Sequence, residues 1–149
     1  MITFFTINNT IKAKLIFFVI FDSCQLLVVL DLQNLKLTGD FPTFSASKIA
    51  FLDLSGNALT GDLEMSAWDD LVDLIVLDVS SNRLDGSIPS SIGAIPRLQL
   101  ASFYNNDISG TMPTEICSLT PSPLKNLEAD CAGVDPKVPC TCCTFCSTP

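Results

Sequence analysis

Two kinds of residue in this chain could do chemistry: its cysteines and its carboxylates. Six of the seven cysteines, Cys117, Cys131, Cys140, Cys142, Cys143 and Cys146, lie close together near one end, and Cys24 stands apart. Cysteine at that density implies disulfides or a metal. Two zinc knuckles need two separate C-x-x-C pairs. Here the pair Cys140 and Cys143 and the pair Cys143 and Cys146 share one residue. That overlap favours three disulfides over zinc or free thiols, and with them an oxidising compartment. A bond between the adjacent Cys142 and Cys143 would close a strained ring and is excluded, and the other pairings stay open. No metal or other cofactor is expected.

The carboxylates number 16 against 8 Lys and Arg, a net charge of −8. An acidic surface repels phosphate backbones, so no nucleic-acid partner is expected. The 149 residues include no His, which removes the Ser-His-Asp and Cys-His nucleophiles and any His-ligated metal. Neither GxGxxG nor GxxxxGK[ST] is present. No catalytic residue is expected, and the chain reads as a binding or structural module.

The middle of the chain supplies the frame that must position these groups. Residues 30–42 read LDLQNLKLTGDFP, 52–64 LDLSGNALTGDLE, 77–89 LDVSSNRLDGSIP and 101–113 ASFYNNDISGTMP. Upstream apolar residues keep the register: Ile49, then Leu71 and Leu74, then Ile95 and Leu98. A period of 22 to 25 residues with L-x-x-L-x-L-x-x-N-x-L is that of leucine-rich repeats. Each x-L-x-L-x stretch alternates with period two, which predicts a short strand with its leucines inward and parallel stacking at about 4.8 Å. Asn57, Asn82 and Asn106 follow the strands as polar residues that belong inside, where an amide can bond neighbouring backbones as a ladder. Leu35 takes that place in the first repeat, so the ladder should lose a rung there. Ala101 and Phe103 replace two aliphatic residues in the fourth repeat and should trade volume within one coil. The expected fold class is α/β: a right-handed leucine-rich repeat solenoid with a short-stranded parallel β-sheet on its concave face.

The period-two rule lists what that face presents. One row is Val29, Phe51, Val76 and Leu100; the next is Asp31, Asp53, Asp78 and Ser102; the third is Gln33, Ser55, Ser80 and Tyr104. An apolar row beside an acidic row would suit a basic or amphipathic peptide, with Phe51 and Tyr104 as anchors. The competing reading is that V-L-D-L-S is the ordinary filling of these positions and carries no specificity by itself. Carboxylates in a flat row do not wrap an ion as a calcium loop does, and an open sheet implies no catalytic pocket. Asp69, Asp70 and Asp73 read as a solvated convex loop, and Trp68 as a loop residue.

The start of the chain differs from the rest. Lys12 and Lys14 precede the apolar run 15–21, as in a secretory signal peptide, and the run is too short to span a bilayer. The alternatives are an uncleaved anchor or an atypical start, mispredicted or truncated, either disordered or packed over the first repeat. The N-x-[ST] sequon at Asn8 falls in this segment, so no N-glycan is expected on the mature chain. The expected division is 1–24 signal-like segment, 25–119 repeats and 120–149 Cys-rich cap.

The fuller string, ending in G-x-I-P and nearly complete at residues 82–89 (NRLDGSIP), resembles the plant-type extracellular leucine-rich repeats. These occur in receptor-like proteins, receptor kinase ectodomains and polygalacturonase-inhibitor-like proteins. The tail, LKNLEADC at 124–131 and VPCTCCTFC at 138–146, resembles the Cys-rich ending of leucine-rich repeat proteins from diatoms, where it caps the solenoid. The plant-type N-terminal cap, a paired-Cys segment with a Trp, has no counterpart here, so an apolar edge is expected at the first coil unless residues 15–29 cover it. The resemblance implies a monomeric, non-catalytic interaction module, extracellular or at the cell surface, that binds a protein, peptide or glycan. Membrane association through the N-terminal segment is left open. The alternatives are a fragment of a receptor-like ectodomain and an inhibitor of an extracellular hydrolase.

Overall fold

The computed structural model describes residues 28–44, 48–64 and 68–148. The signal-like segment, the sequon and Cys24 lie outside the described residues.

Among the described residues, nine short strands form two parallel sheets. β1 (Val29–Asp31), β3 (Phe51–Asp53), β5 (Val76–Asp78), β7 (Leu100–Ser102), β8 (Asn126–Ala129) and β9 (Phe145–Cys146) make a six-stranded sheet in chain order. β2 (Thr38–Asp40), β4 (Ala58–Gly61) and β6 (Arg83–Leu84) make a second sheet of three. On the far side of the coils run 3₁₀ turns at Trp68–Asp70 and Ser90–Ala94 and one helical turn, α1 (Thr114–Cys117).

Alternation decides which side chains fill the core. Leu30, Leu52, Leu77, Ala101 and Leu127 stand opposite one another along the large sheet, and all are buried. Leu54, Val79, Phe103 and Ala129 form the next buried column. Small Ala101 beside large Phe103, both buried, keeps the fourth coil near constant volume. Close packing also sets one glycine: a Cβ on Gly93 would stand 2.6 Å from the Glu115 backbone, where the 3₁₀ turn meets α1.

Polar groups inside the coils are bonded, as burial demands. Asn57 Oδ1 accepts from the backbone N–H of Leu35 (3.1 Å) and Leu37 (2.9 Å), while its amide donates to Leu32 O (2.9 Å) and Leu54 O (2.8 Å). Asn82 repeats this one coil on, accepting from Leu59 N and donating to Leu54 O and Val79 O. Asn106 does the same with Leu84 N, Val79 O and Phe103 O. Each amide therefore ties its own strand end to the coil before it. Asp130 ends the series in a different way: its carboxylate accepts from Asn105 N (2.9 Å) and Asn106 N (3.3 Å) and is 2% exposed.

Trp68 corrects its reading as a loop residue. It opens a 3₁₀ turn, is fully buried, donates its indole N–H to Leu63 O at 2.7 Å and stacks on Phe41. Indole brings a large apolar area, and its single donor is satisfied locally, so a core site suits it. Asp69 and Asp70 are exposed, while Asp73 pairs with Lys48 (3.3 Å) and Arg97 (3.1 Å) from the coils on either side.

The tail folds back over the last coil. Disulfides join Cys117 to Cys142, Cys131 to Cys146 and Cys140 to Cys143. Val138 is buried against the core, and Lys137 Nζ donates to Asn106 O at 2.8 Å. β9 is held through Thr144, whose N–H and hydroxyl both reach Leu127 O, and through Ser147 N–H to Ala129 O.

Candidate functional site

The outward face of the six-stranded sheet gathers the residues read from the sequence. Parallel register sets Val29, Phe51, Val76, Leu100 and then Asn126 side by side. The neighbouring row is Asp31, Asp53, Asp78, Ser102, Glu128 and Phe145. The third row continues the pairing: Asn34 N–H bonds Ser55 O, Gly56 N–H bonds Ser80 O and Ser81 N–H bonds Tyr104 O. Across the three rows, the described residues include no Lys or Arg.

The carboxylates are anchored by the residue two positions on. Asp53 Oδ1 accepts from Ser55 N (2.9 Å) and Ser55 Oγ (2.6 Å), and Asp78 Oδ1 from Ser80 N (3.0 Å) and Ser80 Oγ (2.7 Å). Asp31 holds Gln33 through its backbone and side-chain amides, both at 3.3 Å. One oxygen of Asp53 and one of Asp78 is thereby committed to the fold, and Asp78, which keeps accessible surface, can offer its other oxygen to a partner. Burial pushes the Asp53 carboxyl above its ordinary value; the Ser55 hydrogen bonds pull it back, and the flanking Asp78 and Asp31 charges push it up further.

The accessible face is narrower than the alternation rule implies. Ser80 and Ser102 are 2% and 1% exposed, and Asp53 is 8% exposed. Short hydroxyls turn onto the adjacent carboxylates, Ser80 onto Asp78 and Ser102 onto Glu128 (3.0 Å), so they offer a partner almost nothing. Phe51, Val76, Leu100, Asp31, Asp78, Gln33, Ser55 and Tyr104 keep accessible surface.

Sequence reasoning missed three members: Asn126, Glu128 and Phe145. The signal for the first two was LKNLEA at 124–129, whose Leu124 and Leu127 repeat the L-x-x-L step. Phe145 carried no repeat signal, because β9 joins the sheet through the disulfide-held tail. Its ring meets that of Tyr104 edge to face, with centroids 6.0 Å apart. Among the described residues no cluster could hold a metal ion, and no helix is long and apolar enough to cross a membrane.

Comparison with known proteins decides what carries this face. The family profile described as Leucine Rich Repeat matches residues 73–95, and solved leucine-rich repeat ectodomains share the fold. The chain is a leucine-rich repeat solenoid. It is 38% identical over 94 residues to Receptor-like protein 1 of Arabidopsis thaliana, a match that takes in 60% of this chain and 8% of that protein. The complex of BIR3 and SERK2 from Arabidopsis thaliana is 30% identical to it, with a TM-score of 0.58, covering 85% of this chain and 60% of the other. The Arabidopsis receptor kinase HAESA, in complex with the peptide hormone IDA and the co-receptor SERK1, is 28% identical with a TM-score of 0.56, covering 71% of this chain and 18% of that one. The solenoid thus spans about a tenth of the curated relative it matches. Its repeats are similar to those of plant receptor-like proteins, and its six paired cysteines form the C-terminal cap. The setting is extracellular or at the cell surface, where such ectodomains stand and where disulfides persist.

Proposed function

We propose that this solenoid is a non-catalytic interaction module whose concave sheet binds an extended basic or amphipathic peptide. The observation that carries the reading is the register: an apolar row, Val29 to Leu100, runs beside an acidic row, Asp31 to Glu128, with no cation among the described residues of the face. An extended peptide presents side chains alternately, so one set can lie on the apolar row while the other meets carboxylates. The complex of the related HAESA with a peptide hormone supports the ligand class. The division into repeats to residue 119 and a cap from 120 belongs to the same proposal, as does a monomeric state.

A second reading is favoured by one observation: the relatives it matches are much longer than this chain. The same face would then be one part of a receptor-like ectodomain, with glycan or protein ligands contacting further coils. The hydrolase-inhibitor reading has no comparable support in the geometry.

The test is calorimetry on the full chain with an alternating Lys-Leu peptide and its Glu-Leu counterpart. The Lys-Leu peptide should bind, and the Glu-Leu peptide should not. Val76→Asp or Phe51→Asp should remove binding, while Asp69→Asn on the far side should leave it unchanged. Equal binding of both peptides, or an equal effect of Asp69→Asn, would overturn the reading.

A further inference from the structure

The last coils break the pattern of the face in a way that gathers side chains of one particular chemistry. Tyr104 follows β7 and Phe145 lies on β9, two strands away and level with Ser102 in register, so at ordinary strand and residue spacing their backbones stand more than about 10 Å apart. Their rings nevertheless meet at 6.0 Å. They lean together over β8, where the residue level with Tyr104 leaves room: Asp130 turns inward to the N–H groups of Asn105 and Asn106 and is buried. On β8 itself stands Glu128, paired in register with Phe145 on one side and Ser102 on the other. Its Oε2 accepts from Ser102 Oγ, and its Oε1 takes no partner among the described residues.

Phe145 is half exposed, unusual for an aromatic residue in a sheet row that is otherwise polar. The strand that carries it is fixed by the Cys131–Cys146 bond and by Thr144, so the ring stands in place before any ligand arrives. An aromatic pair set edge to face and a carboxylate with a free oxygen form a receptor for a flat cation. A guanidinium can stack on the open face of one ring, braced by the other, while its N–H fork meets the carboxylate.

We propose that Tyr104, Glu128 and Phe145 form a subsite for an arginine side chain of the bound peptide, at the C-terminal end of the concave face. It rests on the peptide-binding reading above and adds the identity of one ligand residue and its place on the sheet. Arginine is preferred to lysine because an ammonium neither stacks flat nor binds bidentately.

The experiment uses the full, disulfide-intact chain and three acetylated, amidated hexapeptides: hexa-arginine, hexa-lysine and hexa-citrulline. Calorimetry measures affinity, and NMR follows the ring protons of Tyr104, the one tyrosine of the chain. The arginine peptide should bind about fivefold or more tightly than the lysine peptide and shift the Tyr104 ring signals, and the citrulline peptide should not bind measurably. Phe145→Ala and Glu128→Gln, with intact-mass analysis to show that all three disulfides persist, should each weaken the arginine peptide about fivefold or more and erase its advantage over lysine. If both variants bind the arginine peptide as the parent does, while Asp31→Asn with Asp78→Asn loses it, the subsite is wrong and the face reading stands. If none of these changes affects binding, both fail.

Discussion

The repeat coils and the C-terminal cap both close a hydrophobic core, but by different means. From β1 to β7 the same contacts recur at each step: an inward apolar column, an asparagine amide tied to the coil before, and a strand paired in register. From β8 onward the apolar column and the strand pairing go on, but the other contacts change. An aspartate replaces the asparagine, disulfides replace stacking contacts, and Lys137 reaches back to a carbonyl of Asn106. A middle coil has a neighbour on both sides, so weak contacts summed over two interfaces suffice. The final coil has a neighbour on one side only, and covalent bonds offset the missing interface.

The strongest way to break this comparison is to open the cap. Cys131→Ser with Cys146→Ser removes a bond that closes a loop of 15 residues, worth about 3 kcal/mol by the chain-entropy account. Denaturant unfolding should show a loss of that order. Hydrogen exchange should show where it falls, with Ser147 and Phe145 amides losing protection while Leu52 and Leu77 keep theirs. Uniform loss along the solenoid would mean that cap and coils unfold as one unit, and the contrast between them would be mechanical only.

The next test strikes the repeats. Asn82→Ala deletes one rung and leaves Leu59 N, Leu54 O and Val79 O without that partner. An unsatisfied buried group costs about 1–3 kcal/mol, so a loss of about 2 kcal/mol is expected, spread over the coils on both sides because the amide bonds both. Asn106→Ala should cost a similar amount. A much smaller effect at Asn106 would show that Asp130 and Lys137 already hold that coil without its amide.

The same contrast explains what the sequence could tell. Ile49, Leu52, Leu54 and Asn57 were legible because each is written again about two dozen residues on, and repetition separates a pattern from chance. The Asp row was legible for the same reason. Cap contacts are written once. The pairing of Cys117 with Cys142 depends on how α1 and the tail meet in space, which no spacing encodes. Phe145 entered the face only through that fold. The second sheet, β2-β4-β6, was hidden because its strands sit beside positive-φ glycines such as Gly86, which read as bends. Burial of Ser80 and Ser102 was invisible because alternation gives a side chain's direction and says nothing of what shades it.

The smallest expected effect sharpens the comparison between the face and the far side of the coils, through two aspartates with opposite linkage. Asp73, on the far side, is held below its ordinary value by the Lys48 hydrogen bond and charge and then by Arg97, so its contribution is present above pH 3.8 and is lost as pH falls through the lower native value. Asp53, in the row, is raised chiefly by burial. The folded chain therefore holds that proton more tightly than the unfolded chain, and ionising it costs stability as pH rises from 3.8 through the raised native value. Asp53→Asn keeps an acceptor for Ser55 and removes the charge facing Asp31 and Asp78. At neutral pH the variant should be more stable by about 0.2–1 kcal/mol, a gain that fades in acid where the parent is protonated. A gain of the same size at every pH would assign the effect to packing. A loss would mean that the carboxylate bond to Ser55 outweighs burial, and that the acidic row is a structural part of the repeat as much as a surface kept for a ligand.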